Sequence, residues 1–207
     1  VGKKNRDTFH ARGVASAAIA RLVETARERD GLTIGDALTL TGGASFGFVM
    51  LMLALPAMIP IPGPFGLVFG SALAIVALQY AAGIGSVWLP PFFRNRQLSA
   101  SIYVAIQRHA DPVLRRIEAI VLPGRMKALT GRAMPYILGP PVFTLAVAIA
   151  LPIPFGNIIP VVAICLLAIG LIERDGLMVL LGLLLTLVAL SVTAALLQGA
   201  VSFLSMF

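Results

Sequence analysis

The residues best placed to do chemistry lie at two proline-broken tips. Residues 54–66 and 150–160 each run an apolar stretch into a knot of prolines, then into Pro-Phe-Gly at 64–66 and 154–156. Proline lacks a backbone donor and clashes with the preceding turn, so each knot interrupts a helix. A helix restarting after each glycine presents unpaired N–H groups and the positive end of its dipole. Such an end holds an anion without any charged side chain. Gly63, Gly66 and Gly156 admit close backbone approach, Phe65 and Phe155 flank the breaks, and Asn157 adds an amide that both donates and accepts. Gly63, Phe65, Gly66, Phe155, Gly156 and Asn157 are therefore the candidate substrate-binding set. The competing reading is that they only cap and turn the chain.

A second candidate is the run Glu173, Arg174, Asp175, Gly176, where three charges sit between two apolar stretches. One reading is a charged turn at the membrane surface, with Gly176 as its turn residue. The other makes Glu173 and Arg174 a gating or coupling pair, because ionisable groups at membrane depth are costly and tend to be functional. Enzymatic chemistry finds little support. His10 and His109 are isolated in basic segments, and the sequence has no phosphate-loop motif and no close carboxylate pair within the apolar segments. No metal or cofactor is expected. Cys165, the single cysteine, reads as a small apolar core residue.

These residues belong to a chain that is 58% hydrophobic and only 12% charged, with a mean hydropathy of +0.95. Soluble domains are about 25% charged, so an integral membrane protein is expected. The net charge of +7 is clustered. Seven of the 16 Lys and Arg residues lie at or before Arg29, eight run from Arg94 to Arg132, and Arg174 is alone. The positive-inside rule then places the N-terminus and the central basic segment on the cytoplasmic side, against anionic lipid. Nucleic acid is not an expected partner, since no stacking aromatics interleave with the basic residues. The first long apolar run starts too late for a cleaved signal peptide.

The elements that must position the tips follow from periodicity. Residues 13–30 form an amphipathic helix closed by Gly31, and Thr33 with Asp36 starts a short helix reaching Gly42. The first broken unit occupies 44–91, a basic amphipathic linker punctuated by Pro112 and Pro123 occupies 92–135, and a second broken unit occupies 136–173. Residues 1–43 form a cytoplasmic surface layer, and 174–207 a C-terminal transmembrane helix. Gly182, Thr186, Ala189 and Thr193 make a small-residue stripe on that helix, suited to packing within the protomer or in a homodimer. The first arms of both units are short, which suggests re-entrant helices; ordinary hairpins result if those arms extend back through Ala37 and Met134.

Aligning the two Pro-Phe-Gly tips gives an internal repeat offset by 90 residues, beyond which both copies continue as similar apolar runs. The expected fold is all-α and polytopic, with two Pro/Gly-broken hairpins, amphipathic surface helices and a C-terminal span. Duplicated breaks are typical of transporters whose sites form at the repeat interface. A small-solute or anion transporter or channel is thus the expected function. A non-catalytic lipid- or polymer-handling subunit is the alternative. Basic residues at the entrance to both units put those entrances on one side.

The sequence resembles the ExoD (exopolysaccharide synthesis) family. The resemblance rests on residues 32–36 (Leu-Thr-Ile-Gly-Asp), the Ala-Leu-Pro and Ile-Pro-Ile-Pro-Gly of 54–63, Trp88 to Pro90, the Leu-Pro-Ile-Pro-Phe-Gly-Asn of 151–157, and 171–177. Two departures are the small residues at 41–45, where charges are usual, and Asp36 in place of Glu. The resemblance implies a bacterial inner-membrane protein linked to exopolysaccharide production, with no established reaction.

Overall fold

A computed structural model describes residues 13–58, 65–119, 121, 133–151 and 156–205. The first helix, α1 (Val14–Glu28), buries Ala15, Ile19, Val23 and Ala26, the apolar stripe that its periodicity predicts. It closes through Asp30 and Gly31, both with positive φ. The Gly31 N–H donates to the Ala26 carbonyl at 2.8 Å. A Cβ on Gly31 would fall 2.7 Å from the Leu98 carbonyl oxygen. That closeness is imposed by the adjoining strand β1 (Leu32–Thr33), which pairs antiparallel with β2 (Gln97–Leu98).

Helix α2 (Ile34–Thr41) starts as the spacing predicts. The Thr33 hydroxyl accepts the Asp36 N–H at 3.0 Å and donates to the Asp36 carboxylate at 2.7 Å. One 3-10 turn then leads into α3 (Ser45–Ala57). Together Ile34–Ala57 make a 24-residue helical stretch long and apolar enough, by length and composition, to cross a membrane, with Gly42 (φ 53°, ψ −129°) turning the chain between α2 and α3. The first arm therefore does extend back beyond Ala37. The same holds for α7 (Met134–Ala150), which begins at Met134 although Pro140 and Pro141 lie inside it. Pro135 sits in the first turn, where no N–H is needed.

Helices α4 (Phe65–Ala81) and α8 (Ile158–Glu173) are shorter, at 17 and 16 residues. Helix α9 (Gly176–Leu204) contains the second stretch long and apolar enough to cross a membrane, Gly176–Gly199.

Glycines fix how these helices meet. A Cβ on Gly70 would fall 2.6 Å from the Ala150 nitrogen, and one on Gly139 would fall 2.4 Å from the Ala81 Cβ, so α4 and α7 run antiparallel at backbone contact. Gly47 near the start of α3 meets Ala168 and Ile172 near the end of α8. Gly170 meets Val179, and Gly182 meets Leu167, which makes α8 and α9 an antiparallel pair. Met50, Leu73, Leu138, Leu145, Ile164 and Leu167 fill the centre with no exposure. The small-residue stripe of α9 is used inside the protomer: Thr186, Ala189 and Thr193 are buried beside Gly182. Large apolar side chains such as Met52, Leu67, Ile75, Leu78 and Leu187 remain exposed around the outside, as a lipid-facing surface requires.

The remaining elements form a second layer. Helix α5 (Pro91–Arg94) is a single turn, and α6 (Ala100–Glu118) lies against α1. Ile19, Val23, Ala26, Leu32 and Tyr103 make a separate small core there. Helix α1 thus spends its apolar stripe on Tyr103, Val104, Ala110 and Leu114 of α6, whereas Ile102 and Ile106, the stripe that periodicity predicts for α6, stay exposed. Contrary to expectation, Pro112 does not break α6. It is exposed, and the flanking Tyr103, Val104, Ala110 and Leu114 hold the helix to α1 on both sides of it. Pro123 lies outside the described residues.

Candidate functional site

The two tips meet. Helix α4 starts at Phe65 and α8 is preceded by Asn157 as its N-cap residue. A Cβ on Gly66 would lie 2.7 Å from Asn157 Nδ2 and 2.7 Å from the Ile149 carbonyl oxygen. Only glycine permits this approach. Helix α3 lies antiparallel to α8 and α4 antiparallel to α7, so the starts of α4 and α8 are neighbours at one end of the bundle rather than opposed across its middle. That agrees with the charge map, which placed both entrances on one side, and it is not the facing arrangement of tips that, read from sequence, supports a transport site.

At this end the amide of Asn157 has an unusual setting. Its backbone is in the right-handed helical region, and its side chain does not cap α8. Its Oδ1 is buried and lacks a hydrogen-bond partner among the described residues, a condition that calls for an explanation in any folded protein. Phe65 is 41% exposed and stacks on Phe69 at 6.5 Å. Gly156 lies in the turn before Asn157. Gly63 and Phe155 lie outside the described residues. The arrangement sets the N-terminal ends of two long helices beside one unsatisfied amide oxygen, with an exposed aromatic at the margin.

The charged run at 173–176 sits at the opposite end. Glu173 is 2% exposed. Its Oε2 accepts the Val14 N–H at 2.9 Å and its Oε1 accepts the Ala15 N–H at 2.8 Å. Glu118, at the end of α6, accepts the Ser16 N–H at 3.2 Å. Helix α1 has Gly13 as its N-cap residue, with no capping side chain and no acid in its own first turn. Two carboxylates from distant helices therefore satisfy its free donors and face the positive end of its dipole. A Cβ on Gly13 would lie 2.6 Å from Glu118 Cγ, so the glycine makes room for this contact.

Glu173 and Arg174 consequently occupy different surroundings. Arg174 is exposed and takes the left-handed conformation (φ 55°) that closes α8. The expectation that Gly176 would supply the turn conformation is corrected: Gly176 already belongs to α9. Asp175 is fully buried and accepts the Leu177 N–H at 2.8 Å. Glu118 and Gly13 were not among the residues singled out from sequence. The available signal was the missing cap at the start of α1.

The family described as "Exopolysaccharide synthesis, ExoD" matches residues 15–195, a stretch that starts in α1, takes in both tips, Glu118 and Glu173, and ends in α9. The slr1875 protein of Synechocystis sp. (strain ATCC 27184 / PCC 6803 / Kazusa) is 31% identical over 147 residues, covering 70% of this chain and 69% of that protein. Protein ExoD of Rhizobium meliloti (strain 1021) is 31% identical over 153 residues, covering 72% of this chain and 63% of the relative, slightly under two thirds of its length. No solved structure matches. With the family match running through nearly every helix described above, the chain belongs to the ExoD family, which is associated with exopolysaccharide synthesis.

Proposed function

We propose that this chain is a multi-pass inner-membrane protein of the exopolysaccharide pathway that passes a small anionic or polar solute at its joined tips. In this reading it is not an enzyme, and its N-terminal layer faces the cytoplasm and its anionic lipid. The observation that carries the proposal is Asn157, whose buried Oδ1 has no partner among the described residues while its amide lies against Gly66. A residue that merely capped α8 would direct that oxygen at the first N–H groups of the helix, which Asn157 does not do. The orphaned oxygen is an acceptor and calls for an O–H or N–H on the guest, while the adjoining helix starts favour a partly negative group on the same guest.

The proposal includes an internal duplication. A 90-residue shift exchanges α3 with α7 and α4 with α8. The α4–α7 contact then maps onto the α3–α8 contact, and both are close enough to need glycine, at Gly70 and Gly139 in one and Gly47 in the other. Two like hairpins side by side bring their tips together without either one crossing the other.

Flux through liposomes holding the purified full chain tests the reading. A panel of small anions and polar solutes should include one that moves with the wild type and moves several-fold more slowly with Asn157→Ala, at unchanged helix content. An inert wild type, or an Asn157→Ala variant as fast as the wild type, would sink the proposal. The alternative, an accessory subunit, draws on the exposed Leu180, Leu184, Leu187 and Val188 of α9. Co-purification with a polysaccharide synthase, combined with no flux, would decide for it.

A further inference from the structure

We infer that a cleft beside Trp88 and Arg94 binds the phosphate of an anionic phospholipid headgroup. The cleft has a volume of about 150 Å³ and is lined by Gly35, Thr39, Ile84, Ser86, Trp88 and Arg94 among others. Small-molecule pockets start at roughly 300 Å³. This one is therefore sized for a headgroup fragment rather than a whole sugar nucleotide or metabolite.

Its position sets its depth. The sequence carries no charge from Ala37 to Phe93, and Asp36 and Arg94 are the charges that bracket this stretch. A cleft lined by both Gly35 and Arg94 thus lies where hydrocarbon gives way to headgroups. Exposed aromatics mark the same level: Trp88 is 57% exposed, Phe92 73% and Phe93 53%. Trp88 is held in place, because its N–H donates to Gln79 Oε1 at 2.7 Å and its carbonyl accepts from Gln79 Nε2 at 3.2 Å. Aromatic side chains at an interface sit between the apolar and wet zones.

Charge indicates the occupant. A Cβ on Gly35 would fall 2.6 Å from Arg94 Cγ and 3.1 Å from its Nε, so the guanidinium lies on the first turn of α2. That turn carries the positive end of the helix dipole. Two positive features are brought together, and the guanidinium has no hydrogen-bond or ion-pair partner among the described residues. Asp36, the acid in the same turn, still contributes a negative charge, and its carboxylate accepts from the Thr33 hydroxyl at 2.7 Å rather than from Arg94. A phosphate in the cleft would meet the Arg94 fork, the Ser86 hydroxyl and the α2 dipole together, while the Thr39 hydroxyl already donates to the Gly35 carbonyl at 2.8 Å. Ile84, 44% exposed, and the two phenylalanines give the acyl chains an apolar exit. The inference rests on the membrane embedding proposed above but not on solute passage at the tips.

Trp88 is the only tryptophan in the chain, so its emission reports on this cleft alone. The full chain in phosphatidylcholine nanodiscs should show a saturable emission change as phosphatidylglycerol is titrated in. Arg94→Gln should weaken that response by about tenfold or more, the size of a lost charged hydrogen bond. Arg96→Gln should leave it close to wild type, whereas diffuse attraction of cations to the leaflet would weaken both variants equally, by about fivefold. Ser86→Leu, which fills the cleft from an exposed position, should also abolish saturation and serves where Arg94→Gln does not fold. Equal losses in the two arginine variants would overturn the inference. So would a full response to soluble glycerol phosphate in pure phosphatidylcholine, which would identify a free phosphate as the occupant.

Discussion

Replacing Glu173 by alanine leaves two N–H groups of α1 facing a site only 2% open to solvent. The Ala15 donor is buried and the Val14 donor only partly so. A buried donor without a partner costs about 1–3 kcal/mol, so Glu173→Ala should destabilise the protein by about 2 kcal/mol. Glu118→Ala, which frees a single partly buried N–H at longer range, should cost about 1 kcal/mol, like the loss of an ordinary cap. Thermal unfolding in detergent gives the sizes, and amide exchange at Val14 and Ala15 gives the place. Unchanged exchange in Glu173→Ala would refute the assignment. At this scale the sequence was half legible. Glu173 stood out as a lone acid among apolar residues, but its partners are 158 and 159 residues away, and no local pattern encodes that distance.

Helices α3, α4, α7 and α8 are apolar on all sides, so hydrophobic patterning could not say which face each one buries. Their ends were legible from proline and glycine, as were α1, the Thr33 cap and the long α9. The continuity of α6 through Pro112 was not, because tertiary packing against α1 outweighs the lost hydrogen bond. What separates the glycines is the space around them. Gly70→Ala would put a methyl 2.6 Å from the Ala150 nitrogen and 2.8 Å from the Ala146 carbonyl. Backbone cannot rotate aside, so α4 must move off α7, at a cost of about 1–3 kcal/mol. Gly43→Ala meets nothing within 4 Å and should change stability by less than about 0.5 kcal/mol. Paired melting curves of these two variants in one detergent would distinguish close packing from a general intolerance of added side chains.

The molecule as a whole has two cores, one in the apolar bundle and one between α1, α6 and the paired strands. The second core has a pH limit of its own. Burial, and then the negative charge of Asp36, raises the Tyr103 pKa above the usual tyrosine value. The folded state therefore holds the phenolic proton more tightly than the unfolded chain does. Its stabilising effect is complete below about pH 10 and is lost as the pH climbs through the higher folded-state value. Tyr103→Phe should flatten that alkaline fall in stability, read from unfolding midpoints between neutral and strongly alkaline pH. The two-core division was foreshadowed by the charge map, which separated basic from uncharged stretches. That α1 would bury its stripe against Tyr103 and Val104 of α6, leaving Ile102 and Ile106 outside, was not, since periodicity does not say which partner a stripe meets.

The carboxylate clamp on α1 also has a bearing on biosynthesis. Helix α1 is synthesised before α3, α4, α6 and α7, yet the groups that complete it arrive with Glu118 and then Glu173, once those helices have been made. Its first turn cannot be finished until the second hairpin has closed and α8 has ended in the right place. A helix made ahead of the bundle is thus sealed only after it, and its docking marks a bundle whose two halves have met.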